Sequence, residues 1–126
     1  MKLKTFLIIA AAASALYGII VLFLPGFVMQ TNGLDVSESA KVFAESVGGL
    51  FLGIGLINFY ARNDTGSNTL KGVLMGNIVV HAMALVTDGA AVLTNVISQN
   101  QWFSILVHVI FLIGFVYYFL RFRKIS

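Results

Sequence analysis

The sequence predicts an all-α protein, a four-helix up-down-up-down transmembrane bundle. Two observations predict it. Of 126 residues, 59% are hydrophobic and only 10% are charged, where a soluble domain carries about 25% charge. The apolar residues also fall into four runs near the length of about 20 residues that a membrane crossing needs. A mean hydropathy of +0.94 excludes a disordered chain, which needs low hydrophobicity. There is room for a single transmembrane domain over 1–126 and none for a soluble catalytic domain beside it.

Span 1 covers about 5–24. Met1-Lys2-Leu3-Lys4 followed by Ala13-Ser14-Ala15 has the form of a cleavable secretory signal. The apolar run continues through Tyr17 to Leu24, however, so an uncleaved helix is expected. Pro25-Gly26 then ends it, because proline lacks the backbone donor and disfavours helix before it. Gln30 to Leu34 reads as loop. Asp35-Val36-Ser37-Glu38 has the acids of a helix start. Span 2 covers 41–61, and the polar Arg62–Asn68 joins it to span 3 at 70–97. Ser98–Gln101 is a short link to span 4 at 102–120, so spans 3 and 4 form a tight hairpin.

The absence of cysteine excludes disulfides, thiolate metal sites and thiol redox chemistry. The net charge of +3 is no nucleic-acid footprint, because the bases sit at the edges of apolar runs. Lys2, Lys4, Arg62, Lys71, Arg121, Arg123 and Lys124 fall on one side, and Lys41 alone on the other. By the positive-inside rule both termini and the middle loop are cytoplasmic. A bacterial cytoplasmic membrane is the expected location. Trp102 and Tyr117-Tyr118 suit the two aromatic belts.

Ionisable groups inside spans are costly and mark either function or structural pairing. Here they are Glu45, His81, Asp88 and His108. Asn77, His81, Asp88 and Asn95 are spaced by four, seven and seven residues, which puts them on one stripe of a helix. Gly48, Gly49 and Gly53 are read as helix-packing residues, with Gly49-x-x-x-Gly53 in the small-xxx-small pattern. Counted inward from the outer helix ends at about 1.5 Å per residue, Tyr17, Glu45, Asp88 and His108 all lie roughly 6 to 12 Å deep. They form the candidate ligand-binding or proton-handling cluster. Two readings stand: a polar pocket in the outer half, or a buried network that only locks the helices.

The same count puts His81 about 22 Å deep and His108 about 9 Å, an offset that disfavours a haem held between them. No metal or cofactor is called for, although Glu45, Asp88 and His108 are chemically able to ligate one. No catalytic residue is assigned. Ser14, Ser46 and Ser104 lack a nucleophile-elbow context.

Leu24-Pro25, Ala44-Glu45-Ser46-Val47-Gly48-Gly49-Leu50, Gly53-Ile54-Gly55-Leu56, Ala61-Arg62 and Thr87-Asp88-Gly89 together resemble the DoxX-like four-helix membrane proteins. The resemblance implies a four-helix membrane fold and carries no settled activity. The function expected first is a non-enzymatic membrane protein that binds a small ligand, a lipid or a partner subunit. A homo-oligomer is compatible with its glycine faces. A small proton-coupled carrier comes second, and a membrane redox or lipid-modifying subunit third.

Overall fold

A computed structural model describes residues 1–123. Lys124, counted above among the bases of the C-terminus, lies outside the described residues. The helices are α1 (Leu3–Phe23), α2 (Pro25–Thr31), α3 (Glu38–Ala61), α4 (Asn68–Leu93) and α5 (Trp102–Arg123). A 3-10 turn, Gln99–Gln101, precedes α5. All but α2 are long and apolar enough to cross a membrane, and the chain is built as an integral membrane protein. Large apolar side chains point outward along every long helix, including Phe23, Leu50, Val86 and Ile113. Such a surface suits lipid and would be untenable in water.

Local chemistry sets the helix ends. Pro25 breaks α1 at Leu24, as its missing donor requires, but it does not end the helical region. It occupies the first position of α2, where no donor is needed and its fixed φ suits a helix. The predicted loop after span 1 is therefore helical as far as Thr31. Ser37 and Ser67 cap α3 and α4, accepting from the Ala40 and Leu70 amides. α4 stops at Leu93, four residues short of the predicted end. Asn95 follows in the left-handed conformation at φ 58°, which asparagine tolerates better than most residues.

The bundle is two helix pairs. In the first, α1 and α3 run antiparallel in close backbone contact. A Cβ on Gly48 would lie 2.6 Å from the Leu22 nitrogen, and one on Gly18 would lie 2.7 Å from the Gly48 oxygen. Gly55 meets Ala11 and Ala15 in the same way about two turns further on. Gly49 and Gly53, expected to pack, face open space instead. The packing face of α3 is the Gly48–Gly55 face, and small residues on two faces of one helix leave the sequence unable to choose between them.

The second pair is the α4–α5 hairpin. The pairs meet near the chain termini around Phe6, Leu7 and Ala10 of α1, Leu70 and Leu74 of α4, and Phe115 and Tyr118 of α5. Phe6 lies flat over Gly114, where a Cβ would sit 2.5 Å from its ring. It stacks edge-on against Phe115, with ring centroids 4.7 Å apart. Tyr118 belongs to this core and donates to the Met1 carbonyl at 2.6 Å, so of the two tyrosines only Tyr117 is exposed, as Trp102 is at the other end. At the opposite end α2 lies across the bundle. The Asn32 carbonyl accepts from the Ser98 amide at 2.8 Å, and its side-chain oxygen accepts from Gln101.

Valine at position 48 has nowhere to go, and overpacking costs about 1–3 kcal/mol. Gly48→Val should lower the unfolding midpoint in detergent by at least that equivalent. Gly49→Val should stay within about 0.5 kcal/mol of the parent. Equal effects of the two would refute the assigned packing face.

The turn between α3 and α4 generates a pH prediction. Asp64 accepts from the Gly66 and Ser67 amides and from the Ser67 hydroxyl. These bonds hold its carboxyl below the ordinary carboxylate range, the Ser67 hydroxyl contributing most. A depressed pKa stabilises the fold above the unfolded-state pKa and loses that contribution as pH falls through the folded one. The acid limb of the stability profile should therefore flatten in Asp64→Asn. An unchanged limb would remove Asp64 from the account.

Candidate functional site

Toward the α2 end the two helix pairs part around a cavity of about 310 Å³. Ala13, Ser14 and Tyr17 of α1 form one wall, and Phe103, Ser104, Val107, His108 and Phe111 of α5 form the other. Phe51 of α3 and His81 of α4 close the sides. Val28, Thr31 and Asn32 of α2 form the roof with Gln101. The Tyr17 ring stands edge-on to Phe51 at 4.9 Å.

Three hydroxyls on the cavity wall are notable for what they do not do. In a transmembrane helix, serine and threonine usually return their proton to a carbonyl one turn back. Ser46 does so to Val42, and Thr87 to Met83. Ser14, Tyr17 and Ser104 have no hydrogen-bond partner among the described residues, and all three line the cavity.

His81 and His108 are in direct contact, Nδ1 to Nδ1 at 2.9 Å. His81 is buried at 8% exposure and stacked against the rings of Phe111 and Phe115. His108 Nε2 lies 3.8 Å from Asp88 Oδ2. The carboxylate favours a proton on His108 Nε2, so His108 Nδ1 accepts and His81 Nδ1 donates. His81 Nε2 is then left as an acceptor. The three groups form a directional chain from half-exposed Asp88 to buried His81.

The contact overturns the predicted depth offset between the two histidines. About 6 Å of that offset came from the four residues by which α4 is shorter than expected. The rest follows from the link, which folds back. The Val96 and Ile97 amides both bond to the Ala91 carbonyl, and the Gln99 side chain bonds to Val92. α5 therefore starts deeper than a link lying above the helix ends would allow. With the two rings touching, a macrocycle does not fit between them. Among the described residues, no three histidine, aspartate or glutamate side chains gather closely enough to hold a metal ion.

Of the predicted cluster, Tyr17 and His108 share the cavity and Asp88 adjoins it through His108. Glu45 stands apart. The register that sets Tyr17 against Phe51 puts Glu45 about 9 Å closer to the α2 end. It makes no hydrogen bond or ion pair among the described residues. α3 overruns the end of α1 by about two turns, so equal counts from the helix ends are not equal depths. The predicted stripe also divides. Asn77 exchanges amide hydrogen bonds with Asn58 of α3, at 2.9 and 3.1 Å, with both residues buried. Asn95 lies beyond α4, where it accepts from Gln99, and helical periodicity does not reach it.

Sequence reasoning missed the cavity roles of Ser14, Ser104 and Gln101. Their one signal is polarity beside apolar neighbours, which Ser46 shares without lining the cavity. A family model for a domain of unknown function, DUF8292, matches residues 7–126. The chain belongs to the DUF8292 family. The match does not link it to the DoxX-like proteins. No curated protein and no solved structure matches the chain.

The Asn58–Asn77 exchange predicts a sign change. Asn77→Leu alone orphans a buried amide, which costs about 1–3 kcal/mol. Asn58→Leu with Asn77→Leu removes both partners and should recover most of that loss in a detergent unfolding series. A double variant no better than the single would mean that the pair does more than satisfy itself.

Proposed function

We propose that this protein is a non-enzymatic membrane receptor or carrier for a small uncharged amphiphile, held in the cavity at the α2 end. One observation carries the reading: an aromatic-walled cavity of about 310 Å³ whose lining includes Ser14, Tyr17 and Ser104, whose hydroxyls have no partner among the described residues. Pockets near this size, mostly apolar with a few placed polar groups, are the usual form of small-ligand sites. The wall carries no lysine or arginine, so nothing in it compensates a phosphate or carboxylate. The apolar side walls suit a hydrocarbon or ring body, and the hydroxyls and histidines suit a hydroxyl or carbonyl head.

The seven-to-one distribution of bases supports an orientation with both termini in the cytoplasm. The cavity then opens on the outer half of the membrane. Proton-coupled transport is the weaker reading. Asp88, His108 and His81 do lie in a row, but Asp88 is 3.8 Å from His108, and beyond them Leu7, Leu70, Leu74 and Phe115 fill the bundle with fully buried apolar side chains. That plug favours a site served from one side.

The test is thermal stabilisation of the purified protein by a panel of quinones, sterols and monoacylglycerols. Parent protein should be stabilised by at least one of these. Ser104→Phe, which fills the cavity and removes a hydroxyl, should lose the shift while keeping its basal midpoint. Tyr17→Phe should weaken binding by about three- to tenfold, the worth of one neutral hydrogen bond. Absence of any shift in the parent, or a shift that survives Ser104→Phe, sinks the proposal.

A further inference from the structure

The outward face of the α1–α3 pair carries a second recess of about 400 Å³, lined by almost nothing polar. Its floor is backbone and alanine. Gly55 has no side chain, and it presses against the Ala11 carbonyl and Ala15. Its rims are Ile8 on one side and Leu56 and Phe59 on the other, all substantially exposed. It is a trough about 10 Å long on the helix axis, running toward the chain termini.

Both rims end in a base. Lys4 lies one turn before Ile8 on the same helical face. Arg62 follows Phe59 by three residues and stacks over its ring, guanidinium to centroid 3.5 Å. The antiparallel register brings the two bases to one level. Arg62 spends one donor on the Phe59 carbonyl, leaving most of its five free. The described ion pairs, Lys41–Glu38 and Asp88–His108, use neither base. The acidic side chain nearest this end, Asp64, has its oxygens engaged by its own turn.

We propose that this trough is a binding site for an anionic phospholipid, with one acyl chain along the Gly55 floor and the phosphate between Lys4 and Arg62. An apolar slot alone accepts any lipid. The paired bases at its mouth select an anionic headgroup, and the arginine fork suits phosphate oxygens. The site is separate from the cavity at the α2 end, so the two stand or fall independently.

The experiment is thermal unfolding of the full chain in neutral detergent with added dioleoyl phosphatidylglycerol or dioleoyl phosphatidylcholine. The parent should be stabilised more by phosphatidylglycerol, and salt should reduce the difference. Lys4→Gln with Arg62→Gln should at least halve the difference. Lys4→Gln alone should reduce it if the double variant does not fold. Ala12→Phe keeps both charges and blocks the trough from an exposed position, and it should abolish the difference. Equal stabilisation by the two lipids overturns the proposal, as does a difference that survives the loss of the bases. A difference that survives Ala12→Phe also overturns it, because it would show charge acting without the trough.

Discussion

Phe6 over Gly114 is the contact on which the arrangement of the bundle depends. In lipid the hydrophobic effect does not drive helices together, so association rests on close packing and on hydrogen bonds that lipid cannot supply. The chain concentrates both near its termini. Phe6 reaches from the first helix pair into the second, where a missing side chain lets its ring lie against the α5 backbone. Phe115 and Tyr118 flank it, and the Asn58–Asn77 exchange repeats the junction on the other side of the bundle. At the α2 end the pairs are held by α2 and the bonds of Asn32. A bundle joined firmly at one end and roofed at the other encloses space between. The cavity is a consequence of where the contacts lie.

The polar groups follow the same asymmetry. The buried asparagine pair meets most of its own needs: each amide donates one N–H to the other, and Asn77 gives its second to the Val73 carbonyl. It suits the closed end, where nothing else is available. The histidine pair is not self-sufficient. However the proton is placed between the two Nδ1 atoms, each ring keeps a second nitrogen that needs a partner. Asp88 serves His108, and the Nε2 of His81 remains. The polar groups of the closed end thus bond one another and the backbone, while those beside the cavity keep nitrogens and hydroxyls without a partner among the described residues.

The four long helices were legible because lipid imposes a composition that water does not allow. The start of α3 was legible at Asp35–Glu38 because acids in a first turn are a local signal, whereas the Ser67 cap of α4 lay inside what reads as a polar connection. The relative heights of the helices were not local. They depend on how far α3 overruns α1 and on how the 94–101 link doubles back through its bonds to Ala91 and Val92. Depth counted from helix ends therefore failed for Glu45 and for the histidine offset. Tyr17 and His108 do line one cavity, because α1 and α5 face each other across it. Pro25 was read as a stop, although a proline that ends one helix is equally fitted to begin the next. Gly49 and Gly53 make a packing pattern as good as Gly48 and Gly55, and only the partner helix decides which is used.

The small-residue run of α1, Ala10-Ala11-Ala12-Ala13-Ser14-Ala15, gathers these constraints in one place. Ala10 is in the core that joins the pairs. Ala11 and Ala15 receive Gly55 of α3. Ala13 and Ser14 line the cavity, and Ala12 lines the outward trough. Over less than two turns the helix meets four different surroundings, and only Ala10, Ala11 and Ala15 are held small by a packed neighbour. The run looks like low-information apolar filler in a sequence scan. In the fold it is the segment where core, helix packing, cavity and lipid-facing trough come within a few ångströms of one another. Small residues at Ala10, Ala11 and Ala15 are a packing requirement, and those at Ala12, Ala13 and Ser14 leave the two recesses open.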